Sequence, residues 1–329
     1  SHFLALRPRL FNSDAFWDYW QQMALPASYE QSVILHETRF TPYFAAKGYI
    51  WDTYVNTDDL CGVFVNPIMA CPAELLQKRD CPFFKRRSLF TPYADELRRT
   101  DGCAAGELYR YVKAHTEFPV DLLLASLLQT QPMAALAKNL HWNYVIAEPA
   151  AEVPDLAALG LRLLRYTLPA ADPVTDWYNK KASADADALL GRAAQLFEKK
   201  PLLGVLSPAL PLWQGCAAAR RTQWQRDAGT LAEKAAVPVG SDPLPAPNCG
   251  WLLVREASFL DGIPPCTTQR DAWQLALTAQ AAGYYAAAFE TAAQAAARAD
   301  VLDVYEADAA RPAVVAKHLG RLIKHKLQK

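Results

Sequence analysis

The chain has 329 residues, 52% of them hydrophobic, enough apolar material for a sizeable core and more than one domain. Lys plus Arg and Asp plus Glu both number 34, so the charge balance excludes a general affinity for nucleic acid or a strongly acidic substrate. Seven cysteines without a C-x-x-C pair exclude that kind of zinc site or redox dithiol, and fit reduced thiols in a cytoplasm.

No apolar run approaches the roughly 18 residues of a membrane span, and Ser1-His2-Phe3-Leu4 lacks the charged lead of a signal peptide. The expectation is a cytoplasmic protein. Phe3 to Leu6 reads as an interior strand, so an N-terminally incomplete chain is expected. Ser13-Asp14 caps a helix through Ala15-Phe16-Trp17-Asp18-Tyr19-Trp20, whose aromatic density implies burial. Ser28 and Gln31 spell a capping box for a helix that runs from Tyr29 to a stop at Gly48, kinked or split by Pro42. Tyr49 to Val55 follows as a strand.

Asn66-Pro67 opens an irregular stretch through Phe83-Phe84-Lys85-Arg86-Arg87, and leucine-rich helices resume from Leu108 to Leu140. A first domain closes near Ile146, and Ala147 to Gly160, rich in alanine, proline and acid, reads as a linker. Beyond it come a helix over Ala184–Phe197, a strand Leu202–Leu206 and a strand Gly250–Val254. A helix capped by Thr268 and Asp271 then runs to Gly283, and a strand covers Tyr284–Phe289. Strand, capped helix, glycine stop and aromatic strand occur twice, which implies two diverged copies of one α/β unit.

Glu37 is the most informative side chain. Val33, Glu37, Phe40 and Phe44 fall at i, i+4, i+7 and i+11, which sets a carboxylate on an apolar helical stripe, where desolvation would suit it to general-base work. The same pattern admits a partly exposed glutamate rotated off the stripe. His36 faces about 100° away, so the two need not form a dyad. Lys85, Arg86 and Arg87 could complement a diphosphate or an acidic lipid carrier, and Trp17, Trp20 and Trp51 could stack on sugar rings.

The order Phe3-Leu4-Ala5-Leu6-Arg7, Phe16-Trp17-Asp18-Tyr19-Trp20, Val33-Ile34-Leu35-His36-Glu37, Gly48-Tyr49, Asn66-Pro67 and Phe84-Lys85-Arg86 resembles the rhamnan synthesis F family. Pro201–Pro208, Cys249–Arg255 and Ala279–Tyr285 are similar to a later stretch of the same family. The resemblance implies a bacterial glycosyltransferase of cell-wall or lipopolysaccharide synthesis, which passes a nucleotide-activated sugar to a lipid-linked or polymeric glycan at the cytoplasmic membrane face.

The fold so implied is α/β, in doubly wound, GT-A-like half-modules. Residues 1–146 form the acceptor and catalytic half of a first module, 147–160 a linker, 161–310 a degenerate second module, and 311–329 a basic amphipathic helix suited to an anionic membrane surface. The resemblance puts the catalytic base at Glu37, eleven residues before Gly48, and side-chain chemistry gives Lys85, Arg86, Trp17 and Trp51 as the candidate substrate contacts. In the second copy the matching position is Ala272, beside Asp271.

Enzymes of this kind hold the sugar diphosphate through magnesium or manganese on an Asp-x-Asp motif. Asp185-Ala186-Asp187 is the only close spelling and stands at a helix start, so the metal belongs to the complete protein and no ligand is assigned here. A non-catalytic glycan-binding or scaffold module is the competing expectation, because no glycine-rich phosphate loop is present.

Overall fold

The computed structural model describes residues 4–60, 66–91, 103–142, 144–146, 152–165, 186–209, 214–245, 251–293, 295–296 and 316. The chain divides into two compact units, Ser1–Asp59 with Arg79–Cys81, and Leu60–Lys78 with Pro82–Lys329. The expected boundary near Ile146 is therefore displaced to Asp59.

The first unit is helical among its described residues: α1 (Pro8–Phe11), α2 (Asp14–Gln21), α3 (Tyr29–Ser32), a π-helical turn Val33–Glu37 and α4 (Thr38–Ala46). Ser13 caps α2, its hydroxyl accepting from the Phe16 amide at 3.3 Å. Phe16 and Phe44 are its buried aromatic centre, their rings stacked 6.3 Å apart. Neither expected strand forms. Leu4–Leu6 leads directly into α1, whose first position is Pro8, pre-set for a helix, and Phe3 lies outside the described residues. Over Tyr49–Val55 the side chains supply what a strand partner would: Asp52 accepts from the Thr53 amide and, just beyond, Asn56 from the Asp58 amide, each at 2.8 Å. The expected first α/β copy is thus corrected to a helical unit.

The second unit is mixed α/β. Its helices are α5 (Pro67–Ala70), α6 (Pro72–Lys78), α7 (Ala104–His115), α8 (Val120–Thr130), α9 (Met133–Leu140), α10 (Ala186–Lys199), α11 (Gln214–Ala235) and α12 (Gln269–Ala281). Five strands, β1 (Tyr144–Ile146), β2 (Leu161–Arg165), β3 (Leu203–Pro208), β4 (Trp251–Arg255) and β5 (Tyr285–Glu290), form one sheet in the order β1-β5-β3-β4-β2. β1, β5 and β3 run parallel, and β4 is antiparallel to both its neighbours. Every residue of β3 and β5 is buried, so both sheet faces are covered, and these strands read as continuous apolar runs.

That sheet overturns the linker. β1 ends just before residues 147–160 and β2 begins just after them, on opposite edges of the same sheet. Helices from before the segment pack against elements from after it: Gln280 on α12 donates through Nε2 to the Leu128, Gln131 and Pro238 carbonyls at 2.9, 3.1 and 3.2 Å. Trp142 stacks on Tyr285 at 4.4 Å. Alanine, proline and acid at 147–160 mark a connection within a domain. Asp155 closes a turn there by accepting from the Ala157 amide at 3.0 Å.

α12 lies against β3 and β5, and the contact is close because Gly204 has no side chain. A Cβ there would stand 2.7 Å from Tyr284 Cβ and 2.9 Å from Ser258 Oγ. The capping box expected at Thr268 and Asp271 is present. Burial works to raise the Asp271 pKa, but hydrogen bonds from Thr267 and Thr268 outweigh it and hold the carboxylate below its ordinary value. The expected basic helix over 311–329 falls outside the described residues, Ala316 apart.

Two outcomes follow from this packing. Gly204→Ala lowers stability by about 1–3 kcal/mol through overpacking, whereas Gly229→Ala, on an exposed part of α11 with open space for a Cβ, raises it by about 0.5–1 kcal/mol. Denaturant titration of both variants checks the contrast. Because the Asp271 pKa is depressed on folding, its carboxylate stabilises the fold above the unfolded value of about 3.9 and ceases to do so as pH falls through the folded value. The melting-temperature gap between the unmodified chain and Asp271→Asn should be present at neutral pH and shrink as pH falls below the unfolded value of about 3.9.

Candidate functional site

Glu37 sits at the end of the π-helical turn between α3 and α4. The helix begins as expected: Ser28 Oγ accepts from the Gln31 amide at 3.2 Å, and Gln31 Oε1 reaches back to the Ala27 amide at 2.8 Å, one residue before the cap. The Thr38 amide then bonds to the Val33 carbonyl, an i to i+5 closure that inserts one residue into the turn. Val33 therefore lines up with Thr38 instead of Glu37. Glu37 leaves the stripe that holds Phe40 and the buried Phe44, and it is exposed. The desolvated carboxylate expected from α-helical spacing is corrected to a surface carboxylate on an irregular turn.

His36 is structural in its contacts. Its Nε2 lies 2.8 Å from the Ala24 carbonyl and pins the loop before α3. Tyr19 ties α2 to the same helix, with its hydroxyl 3.5 Å from the His36 carbonyl and its ring against Phe40, Tyr43 and Phe44. Burial raises the Tyr19 pKa against the opposing pull of Arg39, so the phenol keeps its proton.

Trp17 and Trp51, expected to touch sugar, are respectively 50% and 60% exposed, and both belong to the unit that carries Glu37. Lys85 and Arg86 belong to the second unit. There Lys85 precedes a 3₁₀ turn, Arg86–Leu89, whose Ser88 and Leu89 are buried while Arg86 and Arg87 are exposed. No group of three His, Cys, Asp or Glu suited to a metal ion occurs among the described residues. Asp185 of the Asp-x-Asp spelling lies outside them, and α10 starts at Ala186. Burial, with Asp271 adding to it, pushes the Cys266 thiol up to about 12, so it stays protonated and is no nucleophile at neutral pH.

One carboxylate escaped the sequence analysis. Glu290, at the carboxyl end of β5, is 2% exposed and is the only buried carboxylate among the described residues. The Tyr144 hydroxyl on β1 donates to it, one diagonal step along the parallel pair. Ser207 on β3 is buried near the same sheet end. The available signal was an acid directly closing the apolar run Tyr284–Phe289. Such strand ends are where open α/β sheets place ligands; here Glu290 is buried and the exposed Tyr144 fastens an edge strand to it.

No helix among the described residues is long and apolar enough to cross a membrane. No curated protein and no solved structure matches the chain. Residues 1–157, a stretch that includes Glu37, Trp17, Trp51, Lys85 and Arg86, match the model of the family described as rhamnan synthesis protein F.

Proposed function

We propose that the chain serves rhamnan-type polysaccharide synthesis as the acceptor-side part of a glycosyltransferase, with Glu37 as the catalytic base. The family match across residues 1–157 carries this reading. The π-helical turn at Val33–Glu37 supports it, since such single-turn irregularities recur at functional sites. Glu37 takes the proton of an acceptor hydroxyl, whose oxygen forms a bond to the anomeric carbon of a nucleotide-activated sugar, rhamnose in this reading. The bond from that carbon to the diphosphate breaks, and the nucleoside diphosphate leaves.

Lys85 and Arg86, on the second unit, serve in this reading to neutralise phosphate on an acidic lipid carrier. The covered sheet of the second unit serves as a GT-A-like half-module, and the whole works in the cytoplasm against the inner membrane. Binding of glycan without catalysis is the second reading, favoured by the exposure of Trp17 and Trp51.

Glu37→Gln keeps the shape of the side chain and removes the basic oxygen. In a sugar-transfer assay on the complete protein it should lower turnover by roughly 10²–10⁴ with an unchanged melting temperature. Asp271→Asn should leave turnover intact. Near-normal transfer by Glu37→Gln would remove the assignment and leave the glycan-binding reading.

A further inference from the structure

Helices α1 and α2 together carry an exposed aromatic surface that the catalytic proposal does not use. Phe16 is 5% exposed, and three half-exposed rings are packed around it: Phe11 at 5.4 Å, Trp17 at 5.5 Å and Trp20 at 5.9 Å between centroids. These rings are 46%, 50% and 41% exposed. Phe11 and Trp17 also meet edge to face at 5.7 Å. Each ring is thus held by one buried neighbour and still offers surface to solvent, so a flat ligand could stack without a side chain first having to be ordered.

The charges beside these rings narrow the ligand. Asp14, Trp17 and Asp18 stand at i, i+3 and i+4, hence on one face of α2, and all three are exposed. Aromatic rings beside two carboxylates suit a partner with apolar C–H surface and hydroxyl donors at its rim. It opposes an anionic lipid surface, which Asp14 and Asp18 would repel.

We infer that Phe11, Trp17 and Trp20 form a platform for an uncharged sugar chain, with Asp14 and Asp18 accepting from its hydroxyls. This rests on the glycosyl-transfer reading and deepens it: the growing polymer is held on α2 while its end is extended elsewhere. A 6-deoxy sugar such as rhamnose fits the rings well, since its methyl group widens the apolar face presented to them.

The probe is a rhamnose tetrasaccharide, titrated calorimetrically against the full chain with no sugar donor present, so the result is independent of Glu37. Saturable binding is expected, weakened about tenfold by Trp17→Ala, weakened less by Asp18→Ala, and retained by Trp17→Tyr. Leu25→Ala, which trims a side chain 91% exposed elsewhere in the same unit, should bind as the unmodified chain does. Absence of saturable binding, equal affinity in Trp17→Ala, or equal losses in Trp17→Ala and Leu25→Ala would overturn the platform. Trp17-dependent pelleting with anionic liposomes would overturn it in favour of a membrane surface. Should Trp17→Ala fail to fold, Trp17→Tyr and Asp18→Ala carry the test.

Discussion

The second unit depends on how closely α12 can approach β3 and β5. At Gly204 the strand has no side chain, and a Cβ there would stand 3.2 Å from the Cβ of Ala279 on α12. Helix and sheet then pack with little between them, and interior density leaves no slack for an added methyl group. The helix is fixed at both ends as well. The Thr268–Asp271 box satisfies amides at its start, and near its finish Gln280 gathers three carbonyls from α8, the turn after it and the segment following α11. One glutamine amide thereby unites elements more than 140 residues apart. This is why residues on either side of 147–160 form one sheet and one core.

The first unit is built on a different principle. Few of its residues are deeply buried, and its order comes from rings in contact: Phe16 stacks on Phe44, while Tyr19, Phe40, Tyr43 and Phe44 meet at tilted or edge-on angles that suit aromatic quadrupoles. Such a cluster fixes the helices that bear it while leaving other rings half exposed. The π-helical turn belongs to the same arrangement. It turns Phe40 and Phe44 toward Phe16 and Tyr19 and moves Glu37 outward.

Local chemistry was legible in the sequence wherever a residue acts on its own neighbourhood. The caps at Ser13, Ser28 and Thr268 are where the spacing puts them, and the glycine stops at Gly48 and Gly283 have φ of +81° and +84°. The strands over Leu203–Pro208, Trp251–Arg255 and Tyr285–Glu290 were legible because buried strands read as apolar runs. Failures came where a long-range partner decides. Tyr49–Val55 has strand-like composition, yet Asp52 and Asn56 serve neighbouring amides locally and no ladder forms. Glu37 was placed on an apolar stripe by assuming an i+4 period that one inserted residue breaks. Glu290 carried no motif at all; its burial follows from the pairing of β1 with β5, a contact between residues 146 positions apart.

The exposure of Glu37 changes what a catalytic role would require of it. A base buried by the fold has its environment set before substrate arrives, whereas a surface carboxylate must have its water displaced by the acceptor itself. Under the proposed reading, the acceptor therefore has to be held by something other than the base. The rings of α2 are suited to that task, because Tyr19 couples α2 to the helix that carries Glu37 through the His36 carbonyl and the Phe40 and Phe44 rings. Binding energy gathered at Trp17 could then help to bring a hydroxyl to Glu37, as remote contacts do when they support orientation at a reacting atom. The irregular turn and the exposed rings, each a departure from what a stable helix pair alone needs, share one explanation on this view.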